Sequence, residues 1–402
     1  MIETAKRLEG IGEYYFSRKL REIDAMRKAG HQVINLGIGS PDLPPHPDVI
    51  KVLQEESARP DVHAYQSYKG SPVLRSAVCE WYGKWYGVSL DPDTEVLPLI
   101  GSKEGIMHVC MTYIDRGDTA LVPNPGYPTY RSAVMLAGGK VADYTLRGEN
   151  AWFPDFEELE GVVAKTAADG GEGRVKLLFV NYPHMPTGQR PDPVMLERLL
   201  AFARRHRILV VHDNPYSFIL NDEPMSLLGL PGAKDVVLEL NSLSKSQNMA
   251  GWRVGTLCGA AARIDEVLRF KSNMDSGMFL PVQLAAAKAL SLDREWYEGL
   301  NEVYARRRRE AFNLLDTLGC SYDAGQSGMF VWARIPDGYA DGYALSDEVL
   351  NGTHVFITPG GIFGDSGDRY VRVSLCSPEE TLRKAGERIE GRMSSPGDAK
   401  HI

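Results

Sequence analysis

Short apolar runs alternate with amphipathic stretches from about residue 72 to residue 260. The runs EVLPLI, TALVPN, KLLFVN, ILVVHD, VVLELN and VGTLCG are bounded by turn-forming residues, so they predict strands. The stretches PVLRSAVCEWYGKWYG, SKEGIMHVCMTYI and DPVMLERLLAFARRHR carry apolar residues at helical spacing. Because the strands are apolar on both faces, the pattern predicts an α/β fold with a mainly parallel sheet covered by helices.

The pattern changes after about residue 280. Long helical stretches come first, then the strand-like segments GMFVWARI and RYVRVSL, and then a last helix near residues 378–393. These elements predict a second, smaller α+β domain, and 402 residues are enough for a large domain plus a smaller one. The basic run Arg306 to Arg309 lies in a stretch of helical spacing and predicts a solvated helix face. The polar tail SSPGDAKHI is expected to fray.

Composition restricts the possible partners and the compartment. A formal net charge of −8 argues against nucleic acid or a membrane surface as a partner. The chain contains no apolar run long enough to span a bilayer, and the segment MIETAKRLEGIGEYYFSRKL has no apolar signal core. The five cysteines are scattered without a CxxC pair, so they predict neither a metal site nor a disulfide framework. We expect a cytoplasmic protein.

Polar residues follow several of the predicted strands. Ligands of an open α/β sheet bind at the carboxyl ends of its strands. GSKE follows EVLPLI, so backbone amides at that helix start could hold an anion, although a helix cap at Ser102 explains the motif equally well. Asp213 ends ILVVHD, with Tyr216 three residues later. Lys245 follows VVLELN, and Arg253 comes eight residues after it.

One ligand would use all of these groups, namely a phosphorylated aromatic aldehyde with a basic ring nitrogen. Lys245 would form a Schiff base with the aldehyde. Asp213 would keep the ring nitrogen protonated, which makes the ring an electron sink. Arg253, the neighbouring serines and the helix start would bind the phosphate. A solvated surface loop is the alternative explanation for any single lysine, and the neighbouring groups argue against it here.

These motifs, in this order and over nearly the whole length, resemble those of the class I/II aminotransferases, which are pyridoxal-phosphate enzymes of fold type I. The resemblance implies a mainly parallel seven-stranded sheet covered by helices, together with a smaller α+β domain. It also implies three divisions of the chain. Residues 1–45 would belong to the small domain, residues 46–280 would form the large cofactor-binding domain, and residues 281–402 would complete the small domain.

The segment SLSKSQNMAGWRVG resembles the Schiff-base motif of that family. The resemblance implies that Lys245 binds pyridoxal 5′-phosphate covalently and serves as the base of the 1,3-proton shift. It also implies that Ser242, Ser244 and Arg253 bind the phosphate. No metal is expected.

Three further segments match cofactor-binding residues of the family. DNPY carries Asp213, which would pair with the pyridinium nitrogen, and Tyr216, which would donate to the phenolic oxygen. In GSKE, Ser102 and Lys103 match the amides that hold the phosphate. NPGYP places Tyr127 where the family stacks an aromatic ring on the cofactor.

Other matches concern the substrate and the subunit arrangement. YQSYKGSPVLR resembles the segment whose tyrosine, here Tyr65, reaches the phosphate of a neighbouring subunit, which implies a homodimer with shared active sites. NLGIGSPD puts Gly39 at the loop that closes over the substrate carboxylate. RYVRVSL puts Arg372 on the arginine that binds this carboxylate with two hydrogen bonds.

The chain departs from the family at one position. The family usually reads Asn-Pro-Thr-Gly after the strand KLLFVN, whereas this chain reads YPHMPTG. Met185 therefore stands where an asparagine would donate a hydrogen bond to the cofactor's phenolic oxygen, and methionine cannot donate. Tyr216 is the remaining donor by sequence, unless His184 or water substitutes. The alternative is that Met185 packs in a tolerant loop.

The resemblance implies an aminotransferase that moves an amino group from an amino acid to 2-oxoglutarate or pyruvate in two half-reactions. A carbon–sulfur β-lyase would use the same lysine and arginine. A catalytically degraded protein that keeps this fold for binding or regulation is a further alternative. Such regulators usually carry an N-terminal DNA-binding domain, for which the first 35 residues leave no room.

The segment KSNMDSGMFLPVQ bears on the substrate side chain. Dicarboxylate specialists of the family bring a second arginine across the dimer interface near this point, but this segment has Asp275 and Ser276 and no arginine. It loosely resembles the alanine and LL-diaminopimelate aminotransferase branch. A neutral side chain, or one with a distal amine, is therefore expected rather than a second carboxylate, although Asp275 could equally cap a helix.

Overall fold

The structure is a computed structural model that describes residues 2–12, 15–168 and 173–393, so the polar tail after residue 393 lies outside the described residues. The α-helices are α1 (Tyr15–Lys28), α2 (Pro47–Ser57), α3 (Pro72–Tyr86), α4 (Ser102–Tyr113), α5 (Pro128–Leu136), α6 (Phe156–Ala168), α7 (Pro193–His206), α8 (Ala261–Lys271), α9 (Leu280–Leu290), α10 (Arg294–Thr317), α11 (Gly342–Thr353) and α12 (Glu379–Met393). The strands are β1 (Ile34–Asn35), β2 (Val96–Leu99), β3 (Thr119–Asn124), β4 (Lys140–Thr145), β5 (Val175–Val180), β6 (Leu209–Asp213), β7 (Val237–Ser242), β8 (Gly255–Gly259), β9 (Ser321–Tyr322), β10 (Phe330–Arg334), β11 (Val355–Phe356), β12 (Thr358–Pro359) and β13 (Tyr370–Ser374).

A seven-stranded sheet organises the first two-thirds of the chain. Its strand order is β2-β8-β7-β6-β5-β3-β4, and β3 to β7 pair in parallel, while β8 pairs antiparallel with both β2 and β7. The predicted α/β fold is thereby confirmed, and each of the six runs read as strands forms one. β4 was not predicted. Its KVADYT sequence lies at the sheet edge with mostly half-exposed or exposed side chains, so it lacks the apolar pattern of a central strand.

Local signals set the ends of the predicted helices. The Ser71 side chain accepts a hydrogen bond from Val73 N at the start of α3, and the helix ends at Gly87 in the left-handed conformation, with φ 65°. Asp192 accepts from Met195 N at the start of α7. Each of these two helices has proline as its first residue, where the missing N–H costs nothing.

The two faces of the large sheet are covered by separate apolar clusters. On β5 and β6, Leu178 and Val210 belong to one cluster, whereas Phe179 and Val211 belong to the other. Neighbouring residues of a strand point to opposite faces, so both faces must be apolar when both are covered. This double burial explains the near-continuous apolar runs of the sequence.

A smaller antiparallel sheet with the order β12-β13-β10-β9 forms near the C-terminus. Its cluster combines Val331 and Val371 of the sheet with Leu314 of α10 and Leu382 of α12. The predicted strands in GMFVWARI and RYVRVSL are therefore confirmed as β10 and β13, and the predicted last helix is α12. The chain after α1 joins this region, because β1 pairs in parallel with β11.

The basic run in α10 is not a uniformly solvated face. Arg307 is only 4 % exposed and forms a two-pronged ion pair with Asp42, at 2.6 and 2.8 Å. Arg306 and Arg309 are exposed, as predicted. Successive helix residues point about 100° apart, so four consecutive residues cannot all face solvent. The prediction is therefore wrong for Arg307, which ties the segment around residue 42 to α10.

The packing of α9 and α10 bears on the position of the domain boundary, which was expected near residue 280. Ala285 and Ala286 of α9 pack in the cluster of the large sheet, as does Tyr297 of α10, whereas Leu300 and Tyr304 pack with the small sheet. We therefore propose a boundary in the first turns of α10 rather than at residue 280. The assignment of residues 1–45 to the small domain stays a proposal, supported by the β1–β11 pairing. Within the described part of the chain, no helix has the length and apolar character needed to cross a membrane.

Candidate active site

A cavity of about 610 Å³ lies where the ends of β6 and β7 meet the small sheet and α1. Twelve of the thirteen site residues predicted from the sequence line it, namely Gly39, Ser102, Lys103, Tyr127, Met185, Asp213, Tyr216, Ser242, Ser244, Lys245, Arg253 and Arg372. A larger cavity of about 850 Å³, between α2, α9 and α10, is lined by none of them. The chemistry predicted from the sequence therefore converges on the smaller cavity.

Lys245 is held against the loop after β1. Its Nζ donates a 2.7 Å hydrogen bond to the carbonyl oxygen of Gly39. Burial lowers the pKa of Lys245, and the positive charges of Arg372 and Arg253 lower it further. A Cβ at position 39 would overlap the ring of Phe330, so the close approach of this loop requires glycine. The lysine is thus poised as an amine with an increased neutral fraction.

Asp213 is a buried carboxylate with one oxygen committed and one open. Tyr130 donates a 2.7 Å hydrogen bond to Oδ2 of Asp213, and Tyr130 itself stacks on Phe179. The other oxygen, Oδ1, is buried and has no hydrogen-bond partner among the described residues. Burial raises the pKa of Asp213 to about 6, although the Tyr130 hydrogen bond opposes this rise. Buried carboxylate oxygens are normally hydrogen-bonded, so Oδ1 is available to accept from a ligand in the cavity.

The start of α4 forms the second polar end of the cavity. Gly101, with φ 85°, is the N-cap residue and Ser102 is the first helical residue, so the alternative reading of Ser102 as a helix cap is wrong. The N–H groups of Ser102 and Lys103 belong to the first turn, where helix amides lack helical acceptors. A Cβ at Gly101 would overlap the Arg253 guanidinium, whose Nη1 lies 3.4 Å from Ser244 Oγ. These groups form a basic cradle suited to a phosphate.

Arg372 lies between two aromatic rings. Its guanidinium carbon is 3.8 Å from the ring centre of Phe330 and 4.6 Å from that of Phe363. Its Nη2 donates to Gly37 O at 2.9 Å, and its Nη1 lies 3.3 Å from the sulfur of Met185. Contact with aromatic faces stabilises a buried cation and restricts its orientation.

Met185 is buried on the wall of the cavity. Its backbone N–H donates to Oδ1 of Asn181 at 2.7 Å, and Nδ2 of Asn181 donates to Asp213 O at 2.6 Å. His184 is not among the residues lining the cavity, and its Nδ1 lies 2.8 Å from Thr187 Oγ1. His184 is therefore not positioned to replace the missing asparagine donor. Burial lowers the pKa of His184 to about 3, so the ring is neutral at physiological pH.

Two tyrosines complete the ring-binding part of the cavity. Tyr216 lies with its ring centre 5.9 Å from Lys245 Nζ, and burial raises the pKa of its phenol. Tyr127 packs edge-on against Tyr130 with ring centres 5.6 Å apart. Burial also raises the pKa of Tyr127, so both hydroxyls stay protonated and can donate hydrogen bonds.

Two residues with predicted roles lie outside the cavity. Tyr65 is 91 % exposed and does not line the cavity of its own chain. Asp275 Oδ1 accepts from Lys271 Nζ and from Gly277 N, each at 2.8 Å. The N-cap residue of α9 is Phe279, so the alternative reading of Asp275 as a helix cap is wrong.

Sequence reasoning missed several lining residues. Tyr130 and Asn181 surround Asp213, and Phe16 of α1, Phe330 and Phe363 line the part around Arg372. Tyr130 lies three residues after Tyr127, on the first turn of a helix beside the cavity, and this spacing was the available signal. The aromatic residues carry no comparable signal, because apolar residues at helix or strand spacing are usually core.

A family model, curated relatives and solved structures all match this chain over nearly its whole length. The family model described as aminotransferase class I and II matches residues 31–389. An LL-diaminopimelate aminotransferase from Dehalococcoides mccartyi is 41 % identical over 95 % of this chain and 97 % of its own length. One from Halothermothrix orenii is 39 % identical over 97 % of this chain and 98 % of its own length. Apo BacF from Bacillus subtilis has a TM-score of 0.91 at 36 % identity, covering 97 % and 98 % of the two chains.

Proposed function

Because the chain belongs to the class I and II aminotransferases, we propose that the 610 Å³ cavity is its active site and that Lys245 is its catalytic lysine. The protein is a pyridoxal-phosphate-dependent aminotransferase of fold type I. The observation that carries the proposal is the meeting in one cavity of the buried amine of Lys245, the open carboxylate oxygen of Asp213 and the guanidinium of Arg372.

The residues of the cavity fit the cofactor at both of its polar ends. The open Oδ1 of Asp213 would accept from the protonated ring nitrogen. The first turn of α4, with Arg253, Ser242 and Ser244, would bind the phosphate. Tyr127 would pack on the ring.

The cofactor supplies an aldehyde that condenses with amines and a protonated ring that withdraws electrons from the bond being broken. Lys245 would hold it covalently and, once a substrate amine takes its place, would move the proton between the two carbons. Burial suits Lys245 to this role, because a lowered pKa leaves more of the amine neutral and able to accept a proton. Tyr216 would donate a hydrogen bond to the phenolic oxygen.

Arg372 would bind the substrate carboxylate. A planar guanidinium can pair with both carboxylate oxygens, and the rings of Phe330 and Phe363 hold it in place. Gly39 would let its loop approach both Lys245 and the substrate. The acceptor would be 2-oxoglutarate or pyruvate, which returns through the same groups.

We also propose a homodimer in which Tyr65 reaches the phosphate bound by the partner subunit. The segment that carries Tyr65 lies beside the end of α8, since Lys271 Nζ donates to Tyr68 O at 3.2 Å, and Tyr65, Tyr68, Met274 and Phe279 are all large, apolar and exposed. Exposed apolar side chains on neighbouring segments are typical of an interface, and two-fold dimers are the commonest soluble assembly.

Two measurements test this assembly. Sedimentation should give a dimer across the working concentration range, and Tyr65→Phe should weaken cofactor binding although Tyr65 lies outside its own cavity. A fully active monomer, or unchanged cofactor affinity in the variant, would contradict the shared site.

We propose a reducing compartment such as the cytoplasm. All five cysteines are free thiols, and four of them are buried. Free thiols of this number persist in reducing compartments.

The alternatives differ in what they release. A carbon–sulfur β-lyase would form pyruvate and ammonia from cystathionine without a 2-oxo acid. A degraded site would do neither. The presence of the amine, the carboxylate and the guanidinium in one cavity argues against the degraded reading.

The experiment that tests the function mixes the purified holoenzyme with a panel of amino acids and follows the cofactor's absorbance and the 2-oxo acid released. Lys245→Ala should lose turnover, whereas the exposed Lys165→Ala on α6 should keep it. Turnover of Lys245→Ala within tenfold of the parent would remove the lysine from its assigned role. Ammonia release without an acceptor would favour the lyase.

A further inference from the structure

We infer that His212 is a positioning residue, a buried imidazolium that is held charged by Glu239 and that keeps the carboxylate of Asp213 ionised. The inference rests on the proposed function, in which Asp213 accepts a hydrogen bond from the protonated ring nitrogen of the cofactor. It goes further by assigning a role to two buried residues that do not line the cavity. An ionised Asp213 leaves the proton on the ring, which needs it to withdraw electrons.

His212 and Glu239 form an ion pair within one subunit. They are paired residues of the parallel strands β6 and β7, and Nδ1 of His212 lies 2.7 Å from Oε2 of Glu239. Their side chains are only 1 % and 0 % exposed. A partner subunit therefore cannot reach either group, and both members of the pair come from the same chain.

Three further groups donate hydrogen bonds to the carboxylate of Glu239. The hydroxyl of Tyr82 donates at 2.9 Å, the hydroxyl of Ser226 at 2.8 Å and the backbone N–H of Leu227 at 3.0 Å. Donors of this kind stabilise the ionised form of a carboxylate. A buried carboxylate charge is strongly unfavourable without an opposite charge beside it, so Glu239 requires a cation.

His212 is the group that supplies this cation. Among the described residues, no lysine or arginine forms an ion pair with Glu239. The titratable neighbours of the carboxylate are Tyr82, Tyr86 and Cys258. Burial raises the pKa of all three, and the charge of Glu239 adds to the rise, so they stay neutral.

The ring of His212 carries a hydrogen on each nitrogen. Nε2 lies 3.1 Å from the carbonyl oxygen of Tyr182, and a carbonyl oxygen can only accept, so Nε2 donates. Nδ1 shares a proton with Glu239, and imidazole is the stronger base of the two groups, so this proton belongs to Nδ1. A ring with both nitrogens protonated is an imidazolium.

The charge of His212 acts on the next residue of the same strand. Neighbouring side chains of a strand point to opposite faces, so the charge lies behind the part of the cavity wall that Asp213 forms. Burial raises the pKa of Asp213 to about 6, whereas the hydrogen bond from Tyr130 and the charges of His212 and Lys245 lower it. Tyr130 and Lys245 line the cavity, but His212 does not, so its charge is independent of what the cavity binds.

The first test measures the pKa of Asp213 in the cofactor-free protein by urea unfolding between pH 5 and pH 8.5. Asp213→Asn removes the cost of ionisation, so its gain in unfolding free energy should rise with pH and level off above about pH 6. The double variant His212→Asn/Glu239→Gln replaces the ion pair with two amides and leaves no lone charge buried. In that background we expect the gain from Asp213→Asn to level off about one pH unit higher.

Tyr82→Phe is the matched control, because it removes one donor to Glu239 and leaves the charge of His212 in place. It should lower the free energy of unfolding without changing the pH at which the gain from Asp213→Asn levels off. A pair with a merely structural role would lower stability equally at every pH. The same levelling pH in the double variant and in the parent would therefore overturn the inference.

A second measurement does not depend on the folding of a variant. Nitrogen NMR of the cofactor-free parent with nitrogen-15-labelled histidine distinguishes singly from doubly protonated rings. Among the nine histidines, we expect a ring that is still protonated on both nitrogens at pH 8.5. If every ring were singly protonated at this pH, His212 would not be a permanent cation and the inference would be overturned.

The holoenzyme links the pair to the reaction. In His212→Asn/Glu239→Gln, a more basic Asp213 takes a larger share of the ring proton, so the half-reaction at saturating amino acid should slow by about tenfold with KM unchanged. An unchanged rate would show that the pair does not serve the reaction. If no amino acid changed the cofactor's absorbance in the parent, the proposed function would fail, while the unfolding measurements would still decide the effect of the pair on Asp213.

Discussion

The sulfur of Met185 lies 3.3 Å from Nη1 of Arg372, so the residue that stands in place of the expected asparagine contacts the guanidinium proposed to bind the substrate carboxylate. Methionine sulfur is a weak acceptor and never a donor. The position therefore still contacts the carboxylate-binding arginine, but it supplies no hydrogen bond to the cofactor's phenolic oxygen.

Met185→Asn should lower the pKa obtained by titrating the absorbance of the bound cofactor, by about one unit. A hydrogen bond to a charged group contributes about 1.5–3 kcal/mol, part of which solvent already provides, and one pKa unit corresponds to about 1.4 kcal/mol. Met185→Leu is the matched control, since leucine also lacks a donor, and it should leave this pKa unchanged. A pKa in Met185→Asn equal to or above the parent's would sink the idea.

Tyr130→Phe should weaken cofactor binding by roughly 10- to 150-fold, because a hydrogen bond to a charged group contributes about 1.5–3 kcal/mol. The hydroxyl holds Oδ2 of Asp213 at 2.7 Å and so leaves Oδ1 for the cofactor. Titration of the cofactor-free protein with pyridoxal 5′-phosphate measures the effect.

The control for Tyr130 is Tyr144→Phe. Tyr144 is equally buried, and its hydroxyl donates to Phe179 O at 2.7 Å, away from Asp213. Tyr144→Phe should lower the free energy of unfolding without weakening cofactor binding. Equal losses of affinity in both variants would show that Tyr130 acts only through general stability.

Asp213→Asn should stabilise the cofactor-free protein at pH 7.5 while impairing cofactor binding. In the folded chain burial raises the pKa of Asp213 from 3.8 to about 6, so the folded state binds the proton more tightly than the unfolded state. Ionisation therefore costs stability above pH 6, by about 3 kcal/mol at most, and this cost falls as the pH drops from 6 towards 3.8. Asparagine does not ionise and avoids the cost.

Urea unfolding of the cofactor-free parent and Asp213→Asn at pH 7.5 and pH 5 measures this difference. The stabilisation should be larger at pH 7.5 than at pH 5. Asp337→Asn, at an exposed carboxylate, is the control and should show no such trend. A larger gain at pH 5 would contradict the direction of the pKa shift.

Arg372→Lys should raise the KM for amino acids by roughly 10- to 150-fold with little change in cofactor affinity. An ammonium cannot reproduce the two parallel hydrogen bonds of a guanidinium, and losing one of them costs about 1.5–3 kcal/mol. Arg334→Lys, on the neighbouring strand and half exposed, is the control. An unchanged KM for every amino acid would place the carboxylate-binding group elsewhere.

The central strands and the polar residues that follow them were predictable because both leave local patterns in the sequence. A strand that is covered on two faces needs a continuous apolar run. The residues that directly follow such a strand lie at the carboxyl edge of the sheet, where ligands bind. β4 was not predicted because an edge strand such as KVADYT needs no continuous apolar run. The burial of Arg307 was not predicted because its ion-pair partner Asp42 lies 265 residues away along the chain.

The strand pattern and charge alone pointed to Lys245, Asp213 and Arg253, because these residues follow predicted strands. The predictions of Arg372, Gly39 and Tyr127 came from the resemblance to the aminotransferase family. Phe16 and Tyr130 resemble core residues in the sequence, and only the folded chain brings them to the cavity. The roles of Asp275 and Ser102 as helix caps failed because a cap depends on backbone geometry at a single residue.

Borohydride reduction of the holoenzyme, followed by peptide mass spectrometry, tests the role of Lys245 most directly. Reduction converts a carbon–nitrogen double bond between the cofactor and a lysine into a stable single bond that survives digestion. We expect one pyridoxyl-modified peptide, with the modification on Lys245, and none in Lys245→Ala. A modification on another lysine, or no modification in an enzyme that transaminates, would contradict it.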